Sequence, residues 1–245
     1  SQDEAHHLLH VLRAHAGDTV TVFDGRGAEA VARLAGPAGK GAVLDILELR
    51  TRRPPAVSVV LFQALVKEQK MDLILQKAVE LGAAGIIPLA AERSIVKPAP
   101  GTNEHRRERW TKIVLNAAKQ CEAGRLPAIG PVMSLADALR MTPAPDVLLM
   151  GTLEGESVPF RTAIAKARSA GHKTIGVLIG PEGDFSPSEV AAARSAGATV
   201  VSLGEAVLRV ETAAIYVLSI LKYEFESCLL PFSESPPPPD PNSPG

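Results

Sequence analysis

The sequence predicts an α/β protein, a mostly parallel sheet covered on both faces, with a small β module in front of it. Three observations carry this. After residue 56, apolar runs of strand length alternate with amphipathic runs of helix length, the rhythm of parallel strands joined by crossover helices. Before residue 50, short alternating runs are broken by turn chemistry, the pattern of antiparallel hairpins. Between the two, Arg52-Arg53-Pro54-Pro55 reads as a linker, because paired prolines continue neither a ladder nor a helix.

Each element has its own signal. Residues 6–13 (HHLLHVLR) suit a short helix. Residues 19–23 alternate and end at Asp24-Gly25, a hairpin turn. Strands over 28–34 and 42–49 follow, separated by the glycine-rich stretch 36–41. Residues 57–62 make a strand. Residues 68–81 make a helix with Met71, Ile74, Leu75, Ala78 and Val79 on one face, stopped by Gly82. Residues 85–89 are a strand. Over 105–122, Trp110, Ile113, Val114, Ala117, Ala118 and Cys121 keep an unbroken helical period. A strand at 147–150 ends at Gly151, and a helix spans 160–170. The strand 175–179 leads to a helix that Ser186 caps, with Pro187 at its first position and Glu189 reaching back. Gly197 closes that helix. A strand over 199–203 and a helix over 211–225 complete the pattern.

Composition narrows the function classes. A net charge of −1 argues against a strongly basic nucleic-acid binder but leaves room for a local basic stripe. Aromatics at 4% argue against an array of rings stacking on bases. No apolar run approaches the roughly 20 residues needed to span a bilayer, and the first residues lack a signal-peptide pattern. Cys121 and Cys228 form neither a disulfide framework nor a metal-ligand spacing, which makes a reducing, cytoplasmic setting the expectation. His6, His7 and His10 have no carboxylate or Cys partner at metal spacing, so no metal site is expected. From 229 to 245 the chain is dominated by Pro, Ser, Glu and Gly and is expected to be disordered.

Two motifs concentrate the chemistry. The strand 175–179 runs into Gly180-Pro181-Glu182-Gly183-Asp184, and the strand 199–203 into Gly204-Glu205-Ala206-Val207-Leu208-Arg209. Ligands of open α/β sheets sit outside the carboxyl ends of strands, where such loops gather. The first loop lacks the Gly-Lys-Ser/Thr ending of a phosphate loop. It suits an uncharged moiety held by backbone groups, or it is a plain strand-to-helix turn. Arg209 stands in an apolar run that enters a helix. Either its guanidinium is aimed into the crevice, or it pairs with Glu205 or Glu211. On the 105–122 helix, Arg109, Lys112, Asn116 and Lys119 share one side. That side is an RNA-backbone stripe or a solvated face.

Taken together, these motifs resemble the ribosomal RNA small-subunit methyltransferase E family. The likeness runs from His6 to about Tyr223. It includes His6-His7-Leu8-Leu9-His10-Val11-Leu12-Arg13, Phe23-Asp24-Gly25-Arg26-Gly27, Lys77-Ala78-Val79-Glu80-Leu81-Gly82, Glu92-Arg93-Ser94, Ala117-Ala118-Lys119-Gln120-Cys121 with Arg125-Leu126-Pro127, Leu178-Ile179-Gly180-Pro181-Glu182-Gly183, and Val207-Leu208-Arg209 with Glu211-Thr212-Ala213. The resemblance implies a PUA-like β-barrel over 1–53, without the family's N-terminal leader strand, and a SPOUT α/β-knot domain over 56–228 with a deep trefoil knot. It implies a homodimer that methylates N3 of a uridine in 16S rRNA of the small ribosomal subunit, using S-adenosylmethionine.

The cofactor residues it implies are Met150, Gly151, Thr152, Ile179, Gly180, Pro181, Glu182, Gly183, Leu203, Gly204, Val207 and Leu208. Arg209 is expected to stabilise the uridine anion, and Glu211 to orient Arg209 or act as base. Arg13, Arg26, Arg93, Lys112, Lys119 and Arg125 are the expected RNA contacts. Two departures stand out. Asp184 takes a place where the family often has Gly, and Glu205-Ala206 replaces a common Pro-Arg. A non-catalytic RNA-binding protein and a SPOUT enzyme for another RNA are the alternatives.

Overall fold

The computed structural model describes residues 2–97 and 101–226. The tail expected over 229–245 lies outside them. The described residues separate into two compact units, one through Pro54 and one from Pro55.

The first unit opens with α1 (Gln2–His6), continued by a wider π-type turn over His7–Val11. Three antiparallel strands follow, β1 (Thr19–Phe23), β2 (Ala28–Ala38) and β3 (Gly41–Thr51), in spatial order β1-β2-β3. The β1–β2 turn is set by Asp24, whose Oδ1 accepts the amides of Arg26 (2.6 Å) and Ala28 (3.0 Å). The β2–β3 hairpin is longer than its glycines suggest. A bulge between Leu34 and Gly36 absorbs the break, and Gly36 takes φ +149° there. Pairing then continues to Ala38–Gly41. Arg52, read from the sequence as linker, belongs to this unit. Its amide donates to Gly27 O (2.8 Å) and its guanidinium pairs with the buried Glu29.

The second unit is built on a parallel sheet. Its strands are β4 (Ser58–Ala64), β5 (Gly85–Ala90), β6 (Ala128–Ile129), β7 (Met133–Ser134), β8 (Val147–Gly151), β9 (Val158–Pro159), β10 (Thr174–Ile179) and β11 (Thr199–Ser202). The spatial order is β6-β5-β4-β10-β8-β11-β9, with β7 also on β5. Every pairing is parallel. The helices are α2 (Glu68–Glu80), α3 (Thr102–Gln120), α4 (Leu135–Leu139), α5 (Phe160–Ser169), α6 (Pro187–Ser195) and α7 (Val210–Phe225). The central strands are buried on both sides, as the near-continuous apolar runs demand. Helix α6 begins at the expected capping box. Among the described residues no helix is long and apolar enough to cross a membrane.

Strand order places the loops. β10 lies between β4 and β8, and the chain returns from β10 to β11 across β8. The carboxyl ends of β10, β8 and β11 therefore stand side by side, and the loops that follow them emerge on one edge. Phe185, fully buried among Phe62, Met150 and Leu178, anchors the loop after β10 to the core beneath.

Candidate active site

The three loops enclose a cavity of about 290 Å³. β8 brings Gly151 and Thr152, β10 brings Ile179, Gly180, Pro181 and Glu182, and β11 brings Leu203, Gly204, Val207, Leu208 and Arg209. At Gly151 there is room for a β-carbon in ordinary contact with both neighbouring strand ends. A Cβ there would stand 3.4 Å from Leu203 Cδ1 and 3.5 Å from Ile179 Cδ1. Two expected residues are not in the wall. Met150 is fully buried in the core below. Gly183 turns away, and a Cβ on it would meet Arg93 Cβ at 3.3 Å.

Positive φ in the first loop does not fall on its glycines. It falls on Asp184, at +59°. The Asp184 carboxylate then does what glycine could not. Its Oδ2 accepts the Thr152 hydroxyl (2.8 Å) and the Leu153 amide (2.7 Å), and its Oδ1 accepts the Phe185 amide (2.7 Å). Arg93, expected to contact RNA, is occupied on the other side of the same loop. Its Nη1 donates to Gly183 O (3.0 Å) and Phe185 O (3.3 Å), and lies 3.4 Å from Glu154 Oε1.

Lys70 carries no signal in the sequence. It sits in the first turn of α2, which starts just past the carboxyl end of β4, and so reaches the cavity wall. Its Nζ lies 2.8 Å from Glu182 Oε1 and 3.8 Å from Glu211 Oε2. The hydrogen bond to Glu182 holds the Lys70 ammonium above the usual lysine range, against the desolvation that would lower it. Burial of Glu182 opposes its ionisation. The Lys70 hydrogen bond, the residue's own amide and the charges of Lys70 and Lys67 outweigh that, and its carboxyl lies below the usual range.

Glu211 lies outside the cavity wall and faces Lys70, and among the described residues no ion pair joins it to Arg209. Arg209 caps α7 with extended backbone (φ −63°, ψ 153°) and lines the cavity. Among the described residues no ion pair engages it.

The basic helix face fares differently. Arg109 pairs with Asp72, Arg107 with Glu104 (3.1 Å), and Arg106 donates to Lys97 O (3.4 Å). Lys112 is exposed, Lys119 half-buried, and Arg125 exposed on the segment after α3. In the first unit Arg13 and Arg26 are exposed, Arg13 with φ +54°.

Comparison with known proteins fits this arrangement. The RNA methyltransferase domain family matches residues 53–222, and the RNA methyltransferase PUA domain family matches residues 1–47. The chain is 31% identical to ribosomal RNA small subunit methyltransferase E of Bacillus subtilis (strain 168) over 229 residues, covering 91% of this chain and 89% of that one. It is 32% identical to the protein of the same name from Mycobacterium bovis, covering 88% and 82%. A crystal structure of ribosomal RNA small subunit methyltransferase E from Neisseria gonorrhoeae, bound to S-adenosyl methionine, superposes with a TM-score of 0.78 at 30% identity, covering 91% and 89%. Sequence and fold agree, and the chain belongs to the ribosomal RNA small subunit methyltransferase E family.

Proposed function

We propose that this protein is an S-adenosylmethionine-dependent methyltransferase acting on N3 of a uridine in 16S rRNA. The observation that carries the reading is the convergence of three strand-end loops on one cavity that Arg209 also lines. The wall suits the cofactor. Ile179, Leu203 and Leu208 offer apolar surface for a flat base. Gly180 and Gly204 leave backbone groups open to it, and the Glu182 and Asp184 carboxylates are balanced by the charges of Lys70 and Arg209 in the same wall. When bound, the cofactor supplies a methyl group activated by a sulfonium.

The chain's own residues must manage the uridine. Loss of the N3 proton leaves negative charge shared between O2 and O4. Arg209 carries a permanent charge and has no acidic partner among the described residues, so it is available to stabilise that anion. Glu211 Oε2 lies 3.8 Å from Lys70 Nζ and is buried without a hydrogen-bond partner among the described residues, so Glu211 keeps the proposed role of base or orienting group. Arg13, Arg26, Lys112, Lys119 and Arg125 remain the proposed RNA contacts. Arg93 is withdrawn from that set by its loop contacts.

The trefoil knot and the homodimer belong to the same proposal. Helix α7 packs on α2, β4 and β10 although it follows β11, which lies beyond β8. Tyr216 and Tyr223 are exposed on α7, at 40% and 84%, and are placed to meet a second copy. Calorimetric titration with S-adenosylmethionine tests the reading. Saturable binding is expected. A folded protein that binds 16S rRNA but not the cofactor would be a non-catalytic binder, and the proposal would fall.

A further inference from the structure

Asp184 occupies a position whose backbone geometry asks for glycine. At φ +59° a β-carbon is disfavoured, and a residue that stays there needs a compensating interaction. The compensation is visible. One carboxylate takes three donors, the Thr152 hydroxyl, the Leu153 amide and the Phe185 amide, all within 2.8 Å. Two of those donors belong to the loop after β8 and one to the loop after β10. The carboxylate also stands against Gly180, where an added Cβ would meet Oδ1 at 3.2 Å. Thr152 passes the constraint on, since its Oγ1 accepts the Glu154 amide at 3.1 Å. Arg93 grips Gly183, Phe185 and Glu154 from the other side.

We propose that Asp184 is a positioning residue: it straps the loop after β8 to the loop after β10 and pre-forms the cofactor cavity before any ligand arrives. The inference rests on the cofactor reading above. Its physical content is preorganisation. Loops already fixed in the binding shape lose less freedom when the ligand binds. A glycine at 184 would leave the Leu153 and Phe185 amides without that acceptor and the two loops free to part.

The decisive variant is Asp184→Gly, because two accounts of the residue predict opposite results. If Asp184 is only a turn residue, glycine relieves the positive φ, the fold holds or gains stability, and cofactor affinity is unchanged. If it is the strap, the protein stays folded while S-adenosylmethionine binds roughly tenfold more weakly, as expected for loss of charge-assisted hydrogen bonds and preorganisation. Amide exchange at Leu153 and Phe185 in the ligand-free protein should then accelerate, while amides in β4 and β10 keep wild-type rates. Asp184→Asn keeps one carbonyl acceptor and tolerates the same φ, so it should recover part of both effects.

Calorimetry with S-adenosylmethionine and hydrogen exchange without it are read on the full chain. Unchanged exchange at Leu153 and Phe185 in Asp184→Gly overturns the strap. Faster exchange with wild-type affinity overturns the positioning role. Wild-type protein that fails to bind the cofactor overturns the functional reading instead, and the exchange comparison still judges whether the two loops are tied.

Discussion

The two ends of the β8–β10 pair use the same device for different purposes. At the amino ends, Asp146 Oδ2 accepts the amides of Lys173 (2.7 Å) and Thr174 (2.9 Å), and its own amide donates to Thr174 Oγ1 (2.8 Å). At the carboxyl ends, Asp184 ties Thr152 and Leu153 to the loop after β10. Each carboxylate satisfies backbone donors that a strand end leaves open. Asp146 is not among the residues that line the loop cavity, whereas Asp184 is. On the proposed reading, the carboxylate at the carboxyl edge shapes the cofactor pocket, and the one at the amino edge serves the fold alone.

The largest effect should come from the carboxyl edge. Arg209→Ala should lower single-turnover methylation of 30S subunits by about 10²–10³-fold at saturating cofactor, with the melting temperature unchanged. Arg209→Lys keeps the charge without the planar fork and should recover only part of the rate. Wild-type turnover in the alanine variant would remove Arg209 from the chemistry.

Arg93→Ala sharpens the contrast next. As an internal tie, its loss should weaken S-adenosylmethionine binding several-fold and leave the salt dependence of RNA binding as it was. If Arg93 contacted phosphate, the slope against log salt would instead drop by about one, with cofactor affinity intact.

At the amino edge the expectation reverses. Asp146→Ala should lower the melting temperature and leave cofactor affinity alone. The amides of Lys173 and Thr174 hold the Asp146 carboxyl below its usual range. Such a group stabilises the fold while carboxylates of the unfolded chain are ionised, and that stabilisation is lost as pH falls through its lowered pKa. Wild-type melting temperature should therefore fall below about pH 4, and less steeply in Asp146→Ala. Parallel acid limbs in thermal scans would contradict this.

The smallest effect is assigned to Lys112→Glu. Lys112 is exposed on α3, while Arg107 and Arg109 nearby are paired with acids. The change should weaken rRNA affinity modestly and flatten its salt slope by about one. An unaltered slope in filter-binding titrations would make the helix an ordinary solvated face.

Much of the fold was legible because each major element leaves its own signal. β10 and β11 are apolar runs ended by glycine-led loops, and α6 carries its capping box in the sequence. The two-residue strands β6, β7 and β9 and the five-residue α4 are too short to show a period, and they went unread. The cavity loops were legible from Gly180 and Gly204. Lys70 was not, because along α2 it looks like any solvated lysine and only the β4–α2 connection turns it toward Glu182. Arg93 and Asp184 were visible as residue types but not as partners. Their contacts span 90 and 32 residues of chain, which no local pattern records.

The central claim is that the loops after β8, β10 and β11 carry a cofactor whose methyl group goes to N3 of a uridine. The most direct test incubates 30S subunits lacking the modification with this protein and isotope-labelled S-adenosylmethionine, then resolves the 16S rRNA nucleosides by mass spectrometry. Labelled 3-methyluridine should appear with the wild-type protein and nearly vanish with Arg209→Ala. Label on any other nucleoside, or none in 16S rRNA despite cofactor binding, would contradict the account.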